Sequence, residues 1–182
     1  DFGAGGTLAG LTDLGWEVTA LYCTRGEQGG FDASLHEQMP EIREREQRAA
    51  GEVLGISDVR FLDGYRDGWL QPTYDLQRDI VRVIRQVRPD LMLIQNAERN
   101  YERIFASHPD HLACGEATIR AIYPAAENQF AWPELITEEG LETFTVPEFW
   151  VMGHREGTHT VDITGSIDRK VNALLQHQSQ VA

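Results

Sequence analysis

The residues best suited to chemistry are His108-Pro109-Asp110-His111. Two imidazoles three positions apart, around a proline-initiated turn, can converge on one point. Pro109 fits the first turn of a helix, where its missing N–H has no intrahelical partner to lose. Asp110 is placed to hydrogen-bond an imidazole and fix its tautomer. The chemistry on offer is metal ligation or proton transfer. Spacing alone also suits a surface turn with ordinary histidines, because a lone His-x-x-His is not specific. Position favours a site: the motif follows an apolar strand-like run, Leu91 to Ile94, and open parallel α/β sheets bind ligands beyond such strand ends. A catalytic metal needs about three protein ligands and one open position. His36, His154, His159 and His177 sit in no pattern that suggests a ligand pair, so on spacing the site is incomplete within the chain.

The elements that must position this turn read as an alternating series. Ala4 to Leu14 is expected to be a helix stopped at Gly15, and Glu17 to Cys23 a buried strand. The Thr24 to Gly30 loop follows at a strand end, where ligands bind in such sheets. Pro40 to Leu54 carries Ile42, Ala49, Ala50, Val53 and Leu54 at helical spacing and stops at Gly55. Val59 to Leu62 is the next strand, and Tyr65 to Gly68 a polar loop. Leu76, Ile80, Val83, Ile84 and Val87 mark a second long helix ended by Pro89. Leu91 to Ile94 shows no alternation, which predicts a strand buried on both faces. His111 to Tyr123 is expected to be helical and Pro124 to Thr145 loop-like. Phe149 to Met152 is expected to pair with Thr160 to Ile163 as a hairpin. A final helix, Ser166 to Gln180, is expected to bury Ile167, Val171, Leu174 and Leu175. Helix and strand in alternation imply α/β class, a mostly parallel sheet with crossover helices, in one domain over residues 1–182.

Acids outnumber bases 29 to 16 in the 182 residues, giving a formal charge of −13. Such a field repels phosphate backbones and anionic lipid, so no nucleic-acid or membrane partner is expected. No apolar run approaches the length of a membrane span. A cytoplasmic location is the matching expectation. Cys23 and Cys114 are expected to be buried, reduced thiols. Two cysteines make neither a disulfide framework nor a four-cysteine zinc site.

Further motifs occur in a fixed order: Phe2-Gly-Ala-Gly-Gly-Thr7, Cys23-Thr-Arg-Gly-Glu27, Arg43 with Glu46 ahead of Leu54-Gly55, and Tyr65-Arg-Asp-Gly68. Ser107-His-Pro-Asp-His111, Val161-Asp-Ile-Thr164, Lys170 and His177-x-Ser179-Gln180 complete the series. Together they resemble the LmbE-like (PIG-L) family of zinc-dependent de-N-acetylases over nearly the whole chain. The resemblance implies a Rossmann-like three-layer sandwich and a small N-acyl amino-sugar substrate whose acetyl or other acyl group is hydrolysed. It implies Zn2+ as cofactor, with His111 as the ligand present here. The other ligands and the general base would lie on a His-Pro-Asp-Asp motif ahead of Phe2. That motif and the central strand leading into it are not in the sequence, so a longer parent protein is expected, and the 182 residues alone are expected to be inactive.

The same resemblance assigns His108 to oxyanion stabilisation and protonation of the leaving amine, as an imidazolium supported by Asp110. It puts Arg43 near the substrate and Asp67 on sugar hydroxyls. Arg25 and Glu27 lie on a strand-end loop that would line the pocket, and Gly3, Gly5 and Gly6 support the backbone close to the site. His177 is read as packing or as support behind the site. A mycothiol-conjugate amidase and a non-catalytic sugar- or nucleotide-binding module are the alternatives, and a homo-oligomer is a candidate assembly.

Overall fold

The computed structural model describes residues 3–180. The chain divides into two compact units. Unit 1 runs to Gly68 and resumes at Glu156, and unit 2 is Trp69–Arg155.

Unit 1 is built from α1 (Gly5–Asp13), β1 (Thr19–Tyr22), α2 (Met39–Leu54) and β2 (Asp58–Phe61). Strands β1 and β2 pair in parallel, Thr19 against Asp58 through Tyr22 against Phe61. Helix α2 stops because Gly55 turns left-handed at φ 81°, a conformation glycine adopts without steric cost. Ala9, Ala50, Leu54, Ile56 and Ala173 are buried together, with Val18, Ala20 and Val59 packed against them. The helical face read from Ala50 and Leu54 is therefore the face that forms this core. Gly6 permits the close approach of α1 to the returning chain: a Cβ there would sit 2.7 Å from Ile163. Ser166 Oγ then donates to the Gly6 carbonyl at 2.7 Å.

Unit 2 holds α3 (Tyr74–Val87), β3 (Met92–Ile94), α4 (Pro109–Arg120), α5 (Glu134–Thr137) and β4 (Phe149–Val151). Thr73 caps α3 by accepting from the Leu76 N–H at 3.2 Å. Leu76, Ile80, Val81 and Ile84 are buried along one face of α3, which packs on α4. At the helix end Arg88 is left-handed, and Pro89 prevents continuation. Arg85 is 2% exposed. Its guanidinium donates to the carbonyls of Ala125, Ala126, Asn128 and Ala131, fixing the irregular segment after α4. Gly115 brings α4 against the chain leaving β3, since a Cβ there would meet the Gln95 carbonyl oxygen at 2.6 Å. That contact sets the head of α4 relative to the strand end.

Four sequence expectations are corrected. Phe149–Val151 is a strand, but it pairs in parallel with Met92–Ile94. Its expected hairpin partner, residues 160–163, is irregular, because Asp162 accepts from the Thr164 N–H and hydroxyl and turns the chain into a 3-10 turn. In β3 only Ile94 is fully buried, the ladder having just two strands. The last helix, α6 (Ile167–Leu174), belongs to unit 1 and is shorter than expected. It leaves Ile167, Val171 and Leu175 exposed and buries Ala173 instead. Cys23 is buried as expected, whereas Cys114 is only half-buried; neither is in a disulfide. Among the described residues, no helix is long and apolar enough to cross a membrane.

Candidate functional site

In unit 2, His108 is the N-cap residue of α4, and its ring Nδ1 accepts the Asp110 backbone N–H at 3.3 Å. Helix N-termini leave their first N–H groups without intrahelical partners, and the cap satisfies one of them. Only an unprotonated Nδ1 can accept, so the ring proton sits on Nε2. His111 lies on the first turn, its ring centroid 5.4 Å from that of His108. Both histidines are exposed. Asp110, between them in sequence, is only 5% exposed, and its carboxylate accepts the Leu70 N–H at 3.3 Å. Ser107 is also buried, its Oγ accepting the Asn100 N–H at 2.7 Å. The turn thus has two buried polar anchors and two outward imidazoles. The contact seen here between Asp110 and His108 runs through the Asp110 backbone N–H, and a ring protonated at Nδ1 would lose it. The imidazolium expected from the sequence conflicts with that cap.

In unit 1 the glycine-rich loop after β1 and the loop after β2 are tied reciprocally. The Asp67 N–H donates to Glu27 Oε1 at 2.8 Å, and the Gln28 N–H donates to Asp67 Oδ2 at 3.0 Å. Glu27 Oε2 is sheltered from solvent and has no donor among the described residues. Arg43, on α2, lies under the same loop: a Cβ at Gly26 would stand 3.2 Å from its Nη2. Its Nε and Nη1 are sheltered without an acceptor among the described residues. Burial pushes the Arg43 guanidinium below its usual range, an effect partly offset by the charges of Glu46 and Asp67.

Arg25 is differently placed. Its three nitrogens donate to Glu44, the Leu62 carbonyl and Asp63, at 3.0, 3.1 and 2.7 Å. Its guanidinium also stacks on the Phe61 ring at 5.5 Å. It braces the β1 and β2 strand ends.

The structure therefore gathers Glu27, Arg43 and Asp67 in unit 1, and His108, Asp110 and His111 in unit 2. Sequence reasoning gave no role to Glu46, which is 8% exposed, or to Ser179, whose N–H and Oγ donate to it at 2.7 and 2.8 Å. An acid at helical spacing from Arg43 was the available signal.

An exposed imidazole on a helix head suits a borderline metal such as zinc as one ligand. Among the described residues, however, no group of three or more His, Cys, Asp or Glu side chains is placed to hold a metal ion. The donor set is not complete within these residues.

Comparison with known proteins gives concordant results. The family described as "PIG-L: GlcNAc-PI de-N-acetylase" matches residues 1–122. Diacetylchitobiose deacetylase of Thermococcus kodakarensis is 33% identical over 180 residues, covering 98% of this chain and 64% of the relative. A 1D-myo-inositol 2-acetamido-2-deoxy-alpha-D-glucopyranoside deacetylase of Rhodococcus erythropolis is 30% identical, covering 97% of this chain and 76% of the relative. Among solved structures, the N,N'-diacetylchitobiose deacetylase of Pyrococcus horikoshii superposes with a TM-score of 0.88 at 28% identity. It covers 99% of this chain and 66% of its own. The chain thus spans a little under two-thirds of the two archaeal relatives.

Proposed function

The chain belongs to the PIG-L family of GlcNAc-PI de-N-acetylases, and from that premise we propose that it acts in the hydrolytic removal of an acyl group from an N-acylglucosamine-type substrate. The observation that carries this reading is the pair of outward imidazoles at the head of α4, held by a buried carboxylate and a buried serine. In the reaction a water oxygen bonds to the amide carbonyl carbon, the C–N bond breaks, and the amine takes up a proton.

His108 Nε2–H is the group suited to donate to the oxygen on which negative charge develops, while the cap bond at Nδ1 keeps the ring in that tautomer. Proton delivery to the amine by the same ring would need Nδ1 protonated and the cap broken, so His108 is assigned the oxyanion role alone. His111 is assigned as one ligand of a zinc ion. When bound, that metal would polarise the carbonyl and acidify the attacking water. Arg43 donates to, and Glu27 and Asp67 accept from, the hydroxyls of the sugar. Arg25 supports their loops. The finer architecture, a Rossmann-like three-layer sandwich with a mostly parallel sheet, belongs to the same proposal; the parallel β1–β2 and β3–β4 ladders support it.

The test is amine release from N,N'-diacetylchitobiose and N-acetylglucosaminyl-inositol by the protein as its gene encodes it, purified with added zinc. Release from either substrate, with equimolar acetate, supports the reading. Failure on both, with the protein folded and zinc present, removes it.

A further inference from the structure

Arg43 is unusual in unit 1 because its charge is sheltered while two of its nitrogens have no acceptor among the described residues. Something must hold it without using up those donors. One helical turn along α2, Glu46 Oε2 stands 3.9 Å from Arg43 Nη1. That is ion-pair range and too long for a hydrogen bond. The Glu46 carboxylate is already occupied: Oε1 accepts the Ser179 N–H at 2.7 Å and Oε2 accepts the Ser179 hydroxyl at 2.8 Å. Two short bonds from one residue fix the carboxylate in its plane and keep it from rotating onto the guanidinium.

The neighbouring residue Gln180 reaches the loop that carries Glu27. A Cβ at Gly29 would stand 2.6 Å from Gln180 Oε1, and one at Gly30 would stand 2.8 Å from Met39 Cε. Gly30 is also left-handed at φ 105°, where a side chain is strained. Arg43 touches the same loop at Gly26. His177, preceding this turn, is buried and feels the charges of both Arg43 and Glu46.

We infer that Glu46 is a positioning residue for Arg43. Anchored by Ser179 of the turn Gln178–Gln180, it compensates the buried guanidinium while leaving the Arg43 Nε–H and Nη1–H free to meet an oxygen of the substrate. The inference rests on the reading of Arg43 as a substrate contact. The chemistry favours a neutral or partly negative oxygen, a sugar hydroxyl or an amide carbonyl, since Glu46 already balances the charge. Without Ser179 the carboxylate turns to Arg43, forms a direct pair with it, and takes the donors out of use.

Kinetics of Ser179→Ala, Ser179→Thr, Glu46→Gln and Arg43→Met in the protein as encoded test this. Ser179→Ala and Glu46→Gln are each expected to raise KM about 10-fold with kcat within about 2-fold, the scale of one charge-assisted hydrogen bond. Ser179→Thr, which keeps the hydroxyl, restores KM. A purely structural role would instead lower the melting temperature and leave KM of the folded fraction at the wild-type value, and that result overturns the inference. If Arg43→Met itself leaves KM unchanged, the substrate reading of Arg43 fails. The side-chain Nε–H resonance of Arg43 in 15N spectra judges the clamp separately. It shifts and exchanges faster or slower in Ser179→Ala if Glu46 is held as described, and an unmoved resonance overturns the clamp.

Discussion

At the head of α4 two imidazoles stand exposed while the carboxylate between them is buried; around Arg43 the charged groups themselves are drawn inward. The histidine turn exposes its imidazoles and hides its supports. The Arg43 cluster hides its donors as well, leaving them unfilled. A third group, Arg85, is tied mainly to the scaffold: its Nε and Nη2 donate to four backbone carbonyls, and its Nη1 alone has no acceptor among the described residues. Burial alone therefore does not separate scaffold from site. The bonds a buried arginine makes to the backbone do, four from Arg85 against two unfilled nitrogens on Arg43. The histidine turn should govern kcat, the Arg43 cluster KM, and Arg85 stability.

The largest effect should come from the histidine turn. His108→Ala is expected to lower kcat by roughly 100- to 1,000-fold, with a stability loss of about 1 kcal/mol from the lost cap. His108→Asn separates the two, because asparagine is a good N-cap and has no imidazole. It should recover the stability, measured by urea denaturation, and none of the turnover. Recovery of turnover as well would assign His108 to structure. Next is Arg85→Met, which removes four hydrogen bonds to the segment after α4 and should destabilise the fold by roughly 2–4 kcal/mol, with the folded fraction keeping its kinetics. Arg43→Met reverses that pattern. It should raise KM by roughly 10- to 100-fold at nearly constant kcat. Stability should change little, since a sheltered and incompletely paired charge is removed with it. If Arg43→Met unfolds the protein and Arg85→Met alters KM, the comparison is inverted and fails.

Much of this was legible in the sequence for definite reasons. Gly55 and Pro89 punctuate the two long helices, and Leu76, Ile80 and Ile84 give the helical period that becomes the buried face of α3. Pro109 and Asp110 marked the helix head that carries the histidines. What could not be read depends on partners distant in sequence. The Phe149–Val151 run pairs with Met92–Ile94, about 57 positions away, so local alternation suggested the wrong neighbour. The apolar spacing of Ile167, Val171 and Leu175 promised burial, but Ala173 faces the core. Glu46 and Ser179 meet across 133 positions, and nothing local announces the pairing. Arg25, on a loop, and Arg43, in the helix of Pro40 to Leu54, are both expected near the substrate; their different partners come from tertiary placement alone.

The smallest expected effect concerns His177, beside the Arg43 cluster. Burial, then the charge of Arg43, pushes its imidazole below the usual range, and Glu46 opposes the shift. The unfolded chain then holds the proton more tightly. Stability from the neutral ring is present above about pH 6.5, the ordinary imidazole value, and is lost as pH falls through the lower folded value. Urea midpoints should drop between pH 7.5 and pH 5, and His177→Gln should flatten that slope. An unchanged slope would mean that the buried ring does not sense the cluster.

The most direct measurement joins metal content to turnover. Wild-type protein and His111→Ala, each as encoded and purified with zinc, are assayed by elemental analysis and by amine release from N,N'-diacetylchitobiose. The wild type should carry about one zinc per chain and release amine, and His111→Ala should lose both while remaining folded. Full zinc content and undiminished amine release in His111→Ala would contradict the assignment of the histidine turn.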